Sequence, residues 1–319
     1  MASRCGAATP GSSGRRNSVF AHQGAGHVLP TYVSYEDLMV MDLAVEIIHA
    51  TVQLEQQQTD GARTVGTGFL IQAPGPDGAA RTVLVTANHV FQKMTGADAR
   101  IGYRTSNKDG SWQYAPKPLK IRDANGAELW THHPTRDVAV MTIKAPEAFA
   151  RAAMPLQYLA GDETFSRYQV KTGDEMMALG FPRGLSANGA GFPILRSGRV
   201  ASYPLAPAKI FPTFLLDFSV FPGNSGGPVF VSRALTKDSP VEVDAVDGGG
   251  EDSGFIAGLL TQQVELNKER LEIGIVTHAQ YVRETIALLQ DPSAEPTIAK
   301  SGETEGARAA AAADASRDE

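Results

Sequence analysis

The chain has 319 residues, 42% of them hydrophobic, with 32 glycines, one cysteine and a formal net charge of −6. That apolar content supports one large domain or two packed halves, and the acidic balance excludes the basic stripe that nucleic acid or an anionic membrane surface requires of a partner. The lone Cys5 excludes an intramolecular disulfide, no run reaches membrane-spanning length, and no apolar segment follows Arg4, Arg15 and Arg16 to make a secretory signal, so a cytoplasmic location is favoured over export.

Residues 1–33 are rich in Gly, Ser and Ala without period and are expected to form a disordered tail. From Tyr35 to Glu46 apolar residues recur at helical spacing behind Ser34 as N-cap, which predicts a short helix leading into a first strand over 47–54. Further strands are expected over 64–71, with a kink at Gly66-Thr67-Gly68, and over 81–86, ending at Ala87-Asn88-His89-Val90. Shorter strands follow over 99–105, 112–121 and 127–131, then a buried one over 138–143, opened by Arg136-Asp137. So many short strands suit a closed β-barrel over 34–144.

Residues 145–172 read as a connector with a helical patch over 145–153. A second series, 173–290, has strands over 175–179, 192–202, 214–220, 229–232, 255–263 and 271–277. A helix over 279–289 closes it, with Val282, Ile286 and Leu289 on one face. The acidic insertion 233–253 reads as a surface loop and lacks the alternating oxygen ligands and turn glycine of a calcium site. Residues 291–319 are expected to be a second disordered tail, with no further domain beyond them.

One stretch concentrates the chemistry. Phe221-Pro222-Gly223-Asn224-Ser225-Gly226-Gly227-Pro228 sets one serine among glycines and prolines between two apolar runs. Such a turn exposes the serine and turns neighbouring N–H groups outward, as an oxyanion pocket needs, although the same five central residues could be an ordinary hairpin loop. Serine at its free pKa is a poor nucleophile and needs a base, and the base needs an orienting carboxylate. His89, where an apolar strand breaks, is the candidate base, and Asp137, directly before a buried strand, the candidate acid. His132-His133 has no Cys or Glu at ligand spacing, so no metal and no cofactor is expected. His49, His278 and Asp217 are read as structural.

Gly66-Thr67-Gly68-Phe69-Leu70-Ile71, Thr86-Ala87-Asn88-His89-Val90, Asp137-Val138-Ala139-Val140, Gly180-Phe181-Pro182, Ser197-Gly198-Arg199-Val200 and the serine turn occur in the order of trypsin-like serine peptidases, and the chain resembles that family over about 45–290. The likeness is to the bacterial branch with the HtrA-type proteases, without their PDZ domain. The resemblance implies an all-β fold of two six-stranded antiparallel barrels, with the active site in the cleft between them and a helix at the C-terminal end. It implies a serine endopeptidase acting on a protein or peptide substrate through an acyl-enzyme. In that scheme His89 is general base, Asp137 its orienting group and Ser225 the nucleophile. The oxyanion hole is the Gly223-Asn224-Ser225 segment, with the Gly223 and Ser225 N–H groups as donors. Asn224 stands where digestive enzymes carry an aspartate that pairs with a freed N-terminus, so activation by such an insertion is not implied.

By the same resemblance the specificity pocket has its base near Ser219 and its wall at Leu260 to Gln263. With no aspartate at the base and no histidine on the wall, a shallow pocket for small or aliphatic residues is expected. Two other readings stand beside the peptidase. One is a catalytically silent peptidase fold that binds peptides or partners. The other is an α/β-hydrolase esterase, whose Gly-x-Ser-x-Gly pattern is met here but whose strand-to-helix flanks and last-placed histidine are not.

Overall fold

The structure, a computed structural model, describes residues 43–58, 61–232, 254–266 and 269–291, all within one compact unit. Residues 35–42 of the helix predicted over 35–46, the tail 1–33, the insertion 233–253 and residues 292–319 lie outside the described residues. The chain enters through helix α1 (Leu43–Ala50) and turns directly into β1 (Thr51–Gln57). Residues 47–50, expected as strand, are therefore helical. Leu43, Ile47 and Ala50 are buried at helical spacing, and the Thr51 hydroxyl donates to the Ile47 carbonyl at 2.7 Å where the helix ends.

Next come β2 (Arg63–Pro74), β3 (Ala80–Thr86), helix α2 (Asn88–Lys93), β4 (Asp98–Ser106), β5 (Trp112–Lys120), β6 (Thr131–His132) and β7 (Ala139–Ile143). After helix α3 (Glu147–Ala152), β8 (Met154–Pro155) pairs parallel to β2. These strands make one eight-stranded sheet of order β5-β4-β1-β2-β3-β7-β6, with β8 off the path. Strands stand where expected at β2, β3, β4, β5 and β7, and β1 runs over 51–57 where 47–54 was expected, but among the described residues no ladder joins β6 back to β5, so this half is an open sheet in its hydrogen bonding. The reason lies in the segment before β6. Asp123 Oδ1 accepts the N–H groups of Asn125 and Ala127, each at 2.8 Å, which folds the start of the expected 127–131 strand into a turn and leaves a single bridge, Arg122 to Glu128.

The Gly66-Thr67-Gly68 stretch does not kink β2, whose registers with β1 and β3 run unbroken. Its glycine serves close approach instead: a Cβ on Gly66 would lie 2.3 Å from Val90 Cγ1, so α2 can sit directly on the strand.

The connector holds more structure than one helical patch, adding a 3-10 turn over 156–158 and helix α4 (Asp162–Arg167), whose Phe165 is buried. Then β9 (Glu175–Gly180), β10 (Ile194–Val200), β11 (Thr213–Asp217), β12 (Pro228–Ser232), β13 (Gly254–Leu266) and β14 (Glu269–His278) close a six-stranded antiparallel barrel of order β10-β11-β14-β13-β12-β9. Helix α5 (Ala279–Gln290) lays Val282 and Ile286 onto the core and keeps Leu289 partly buried. One continuous apolar cluster joins both halves, with Phe69 and Phe91 from the first and Phe214 and Phe230 from the second.

Arg104 and His278 are buried, and among the described residues neither has an opposite charge in contact. Arg104 of β4, 1% exposed, donates to the carbonyls of Ile48, His49 and Gly191 and lies against the Phe149 and Phe192 rings; desolvation pushes its pKa down to about 10. His278 sits between the Phe165 and Phe214 rings at 4.9 and 5.0 Å, and burial pushes its pKa down to about 4. As pH falls below the ordinary histidine value, the unfolded chain takes up a proton that the folded chain refuses. Stability therefore declines from about pH 6.5 and levels off near 4, a loss of about 3 kcal/mol. Urea denaturation between pH 7 and 4 is expected to show this slope in the wild type and a flattened one in His278→Phe; an unchanged slope in the variant counts against it.

Candidate active site

β3 ends at Thr86 and α2 begins at Asn88, whose Oδ1 accepts the Trp130 indole N–H at 2.9 Å, so His89 is held in the first turn of a short helix. Across the sheet β7 pairs with β3, matching Ala139 to Thr86, which brings the residues before β7 beside those after β3. Asp137 there meets His89 twice. Its Oδ2 is 2.6 Å from Nδ1, and its Oδ1 accepts the His89 backbone N–H at 2.9 Å. The two side chains are 23% (His89) and 27% (Asp137) exposed. With the carboxylate ionised, the ring proton belongs on Nδ1 and Nε2 is left with its lone pair.

The loop carrying Asp137 is braced from the far side. His133, fully buried, accepts the Thr135 N–H on Nδ1 at 3.2 Å and places Nε2 3.3 Å from Glu284 of α5. His132 is exposed, and among the described residues no three His, Cys, Asp or Glu are grouped to hold a metal ion.

The serine turn joins β11 to β12 and is built by its own backbone. Asn224 N–H donates to Phe221 O, and Gly227 N–H donates to Asn224 O, each at 3.0 Å. Gly223 has φ +98°, open only to glycine at low cost. The Pro222 carbonyl accepts the Arg183 N–H at 2.6 Å, so across that trans peptide the Gly223 N–H points the opposite way. The Asn224 carbonyl is likewise engaged, which turns the Ser225 N–H away from it. Neither N–H has an acceptor among the described residues. Asn224 is 2% exposed with its Oδ1 unpartnered there.

Thr67 fastens this turn to the first half. Its N–H donates to the Ser225 carbonyl at 2.9 Å and its hydroxyl to the Gly223 carbonyl at 2.6 Å, while accepting the Phe181 N–H at 3.1 Å. Ser225 Oγ donates to the Thr261 carbonyl at 3.3 Å, and among the described residues no hydrogen bond joins it to His89. Thr67 and Arg183 escaped sequence reasoning. The available signal was a polar β-branched residue set between two glycines in an apolar strand.

The sequence profile of the trypsin-like peptidase domain matches residues 66–234, more than half of the chain. The chain belongs to that family. Comparison with curated proteins finds no match. Solved structures similar to the peptidase domain include the HtrA-type protease AlgW with a tripeptide, at 17% identity and TM-score 0.46 over 78% of this chain and 62% of that one. A variant of AlgW with a tripeptide has 17% identity and TM-score 0.45 over 78% and 63%. The protease Anisep from Arthrobacter nicotinovorans has 13% identity and TM-score 0.46 over 77% and 97%. The chain thus spans less than two thirds of the AlgW chains.

Around the peptidase domain's serine turn, Ser219 is half-buried and Leu260 is fully buried, its Cδ2 3.3 Å from where a Cβ of Gly274 would stand. Leu260 therefore meets the turn through its backbone, accepting the Gly226 N–H at 2.7 Å and donating to Gly227 O at 2.9 Å. Gln263 pairs with Gly274 in the β13–β14 ladder, and its side chain lies outside the described residues.

Proposed function

We propose that this peptidase domain is a serine endopeptidase working through Ser225, His89 and Asp137. The observation that carries the reading is the double grip of Asp137 on His89, which leaves Nε2 as the ring's basic nitrogen. Ser225 Oγ turns from the Thr261 carbonyl toward Nε2; catalytic hydrogen bonds are commonly loose before substrate binds. Its oxygen then attacks the substrate carbonyl carbon while its proton passes to Nε2. The carbonyl π electrons move onto oxygen, which the free N–H groups of Gly223 and Ser225 receive; each such donor contributes about 3–4 kcal/mol of barrier lowering. Collapse expels the amine, which takes the proton from Nε2, and leaves an acyl-Ser225. Water, deprotonated by the same nitrogen, releases the acid.

A fluorophosphonate probe is expected to label Ser225 in the folded wild type, and Ser225→Ala and His89→Ala are expected to show no labelling. Absence of labelling together with no cleavage of unfolded casein would leave the silent-binder reading, in which wild type and Ser225→Ala bind a peptide equally well.

A further inference from the structure

A groove of about 360 Å³ is lined by Gln53, Glu55, Gln57, Arg63, Arg100 and Tyr114. Its floor follows from strand periodicity. Gln53, Glu55 and Gln57 alternate onto one face of β1, and the β1–β2 register sets Gln53 opposite Thr67 and Gln57 opposite Arg63. Thr67 is the residue that holds the Ser225 carbonyl. The groove therefore starts at the anchor of the serine turn and runs about 13 Å away from it, the rise of four strand residues. At its near end Gln53 Nε2 donates to the Gly184 carbonyl at 3.0 Å, and the Tyr114 hydroxyl donates to Gln53 Oε1 at 3.1 Å. Gly184 is the neighbour of Arg183, whose N–H holds Pro222.

The charge in the groove is unbalanced. Arg63 and Arg100 converge on one carboxylate, Glu55, at 2.6 and 3.3 Å. Glu55 is 12% exposed, whereas the arginines are 45% and 58% exposed. Two guanidiniums sharing one carboxylate leave a net positive charge and several unused N–H donors, a setting suited to a second carboxylate.

We propose that this groove takes an acidic side chain of the substrate peptide, two to four residues from the cleaved bond, with Arg63 and Arg100 as its donors. The proposal rests on the peptidase reading above. An extended peptide advances about 3.3 Å per residue, so a side chain at that separation from Ser225 falls within the groove's length.

The test is digestion of a proteome-derived peptide library by the full chain, with cleavage sites read by mass spectrometry. Matched fluorogenic peptides carrying Glu or Gln at the enriched position then follow. Asp and Glu are expected to be enriched at one position within four residues of the cut. The Glu/Gln ratio of kcat/KM should be roughly fivefold, the size of a partly exposed ion pair, and should shrink at high salt. In Arg63→Ala/Arg100→Ala the ratio should fall toward one, and in Glu55→Gln, which removes the competing carboxylate, it should rise. Cleavage without acidic enrichment, or a ratio unchanged in the double variant, overturns the groove and leaves the peptidase reading standing. If the double variant does not fold, a ratio that fails to rise in Glu55→Gln overturns it. No cleavage together with no fluorophosphonate labelling overturns both.

Discussion

Asp137→Asn is expected to lower kcat about 10⁴-fold with KM and thermal stability close to wild type. The reason is one of orientation. The carboxylate accepts two N–H groups, one from the His89 backbone at 2.9 Å and one from the ring at 2.6 Å. The backbone donor cannot reverse its role, so the amide oxygen of Asn must face it. The amide NH₂ is then directed at Nδ1 and forces that nitrogen to accept. The ring proton moves to Nε2, which can no longer take the proton of Ser225. Steady-state kinetics on a casein-derived peptide, with thermal unfolding of the same samples, checks this. A kcat within tenfold of wild type would show that Asp137 does not set the tautomer.

Where the candidate site was legible in the sequence, the signal was local. A serine among glycines, a histidine closing a strand and an aspartate opening one are each visible within a few residues, and β7 pairing with β3 brings the latter two together. The second series of strands was legible for the same reason, since each apolar run is bounded by Gly, Pro or Asn. What escaped depends on contacts between distant segments. Thr67 reaches Gly223 across 156 positions, its hydroxyl finding a backbone carbonyl that any residue would offer and that leaves no trace in composition. Arg104 reads as the polar end of a strand, yet it is 1% exposed, because the Phe149 and Phe192 rings and three carbonyls close over it. The boundary at 47–50 was ambiguous in principle, since a short apolar run fits either period and only packing decided for the helix.

Gly226→Ala is expected to cost about 3 kcal/mol or more of stability and to abolish labelling of Ser225 in whatever fraction remains folded. Two separable effects act at this position. Its φ of +85° disfavours any side chain, at about 1–2 kcal/mol. In addition a Cβ would stand 2.1 Å from the Thr67 carbonyl oxygen, 2.2 Å from Thr86 Oγ1 and 3.0 Å from Ala87 N. These atoms lie where β2 meets the end of β3, three residues before His89, and the Thr86 hydroxyl already donates to the Thr67 carbonyl at 2.7 Å. Relief of the clash must push the turn off the first half, breaking the Thr67 bond to Ser225 and displacing Ser225 relative to His89. Gly78 separates the two effects: its φ is +76°, but nothing lies within 4 Å of a Cβ there. Gly78→Ala should therefore carry only the backbone cost, with normal labelling. Chemical denaturation of both variants, with labelling rates measured where each is more than nine-tenths folded, reads the difference. Equal stability losses and equal labelling in the two would mean that backbone conformation alone, and not the packing of the serine turn on Thr67 and Thr86, is what Gly226 provides.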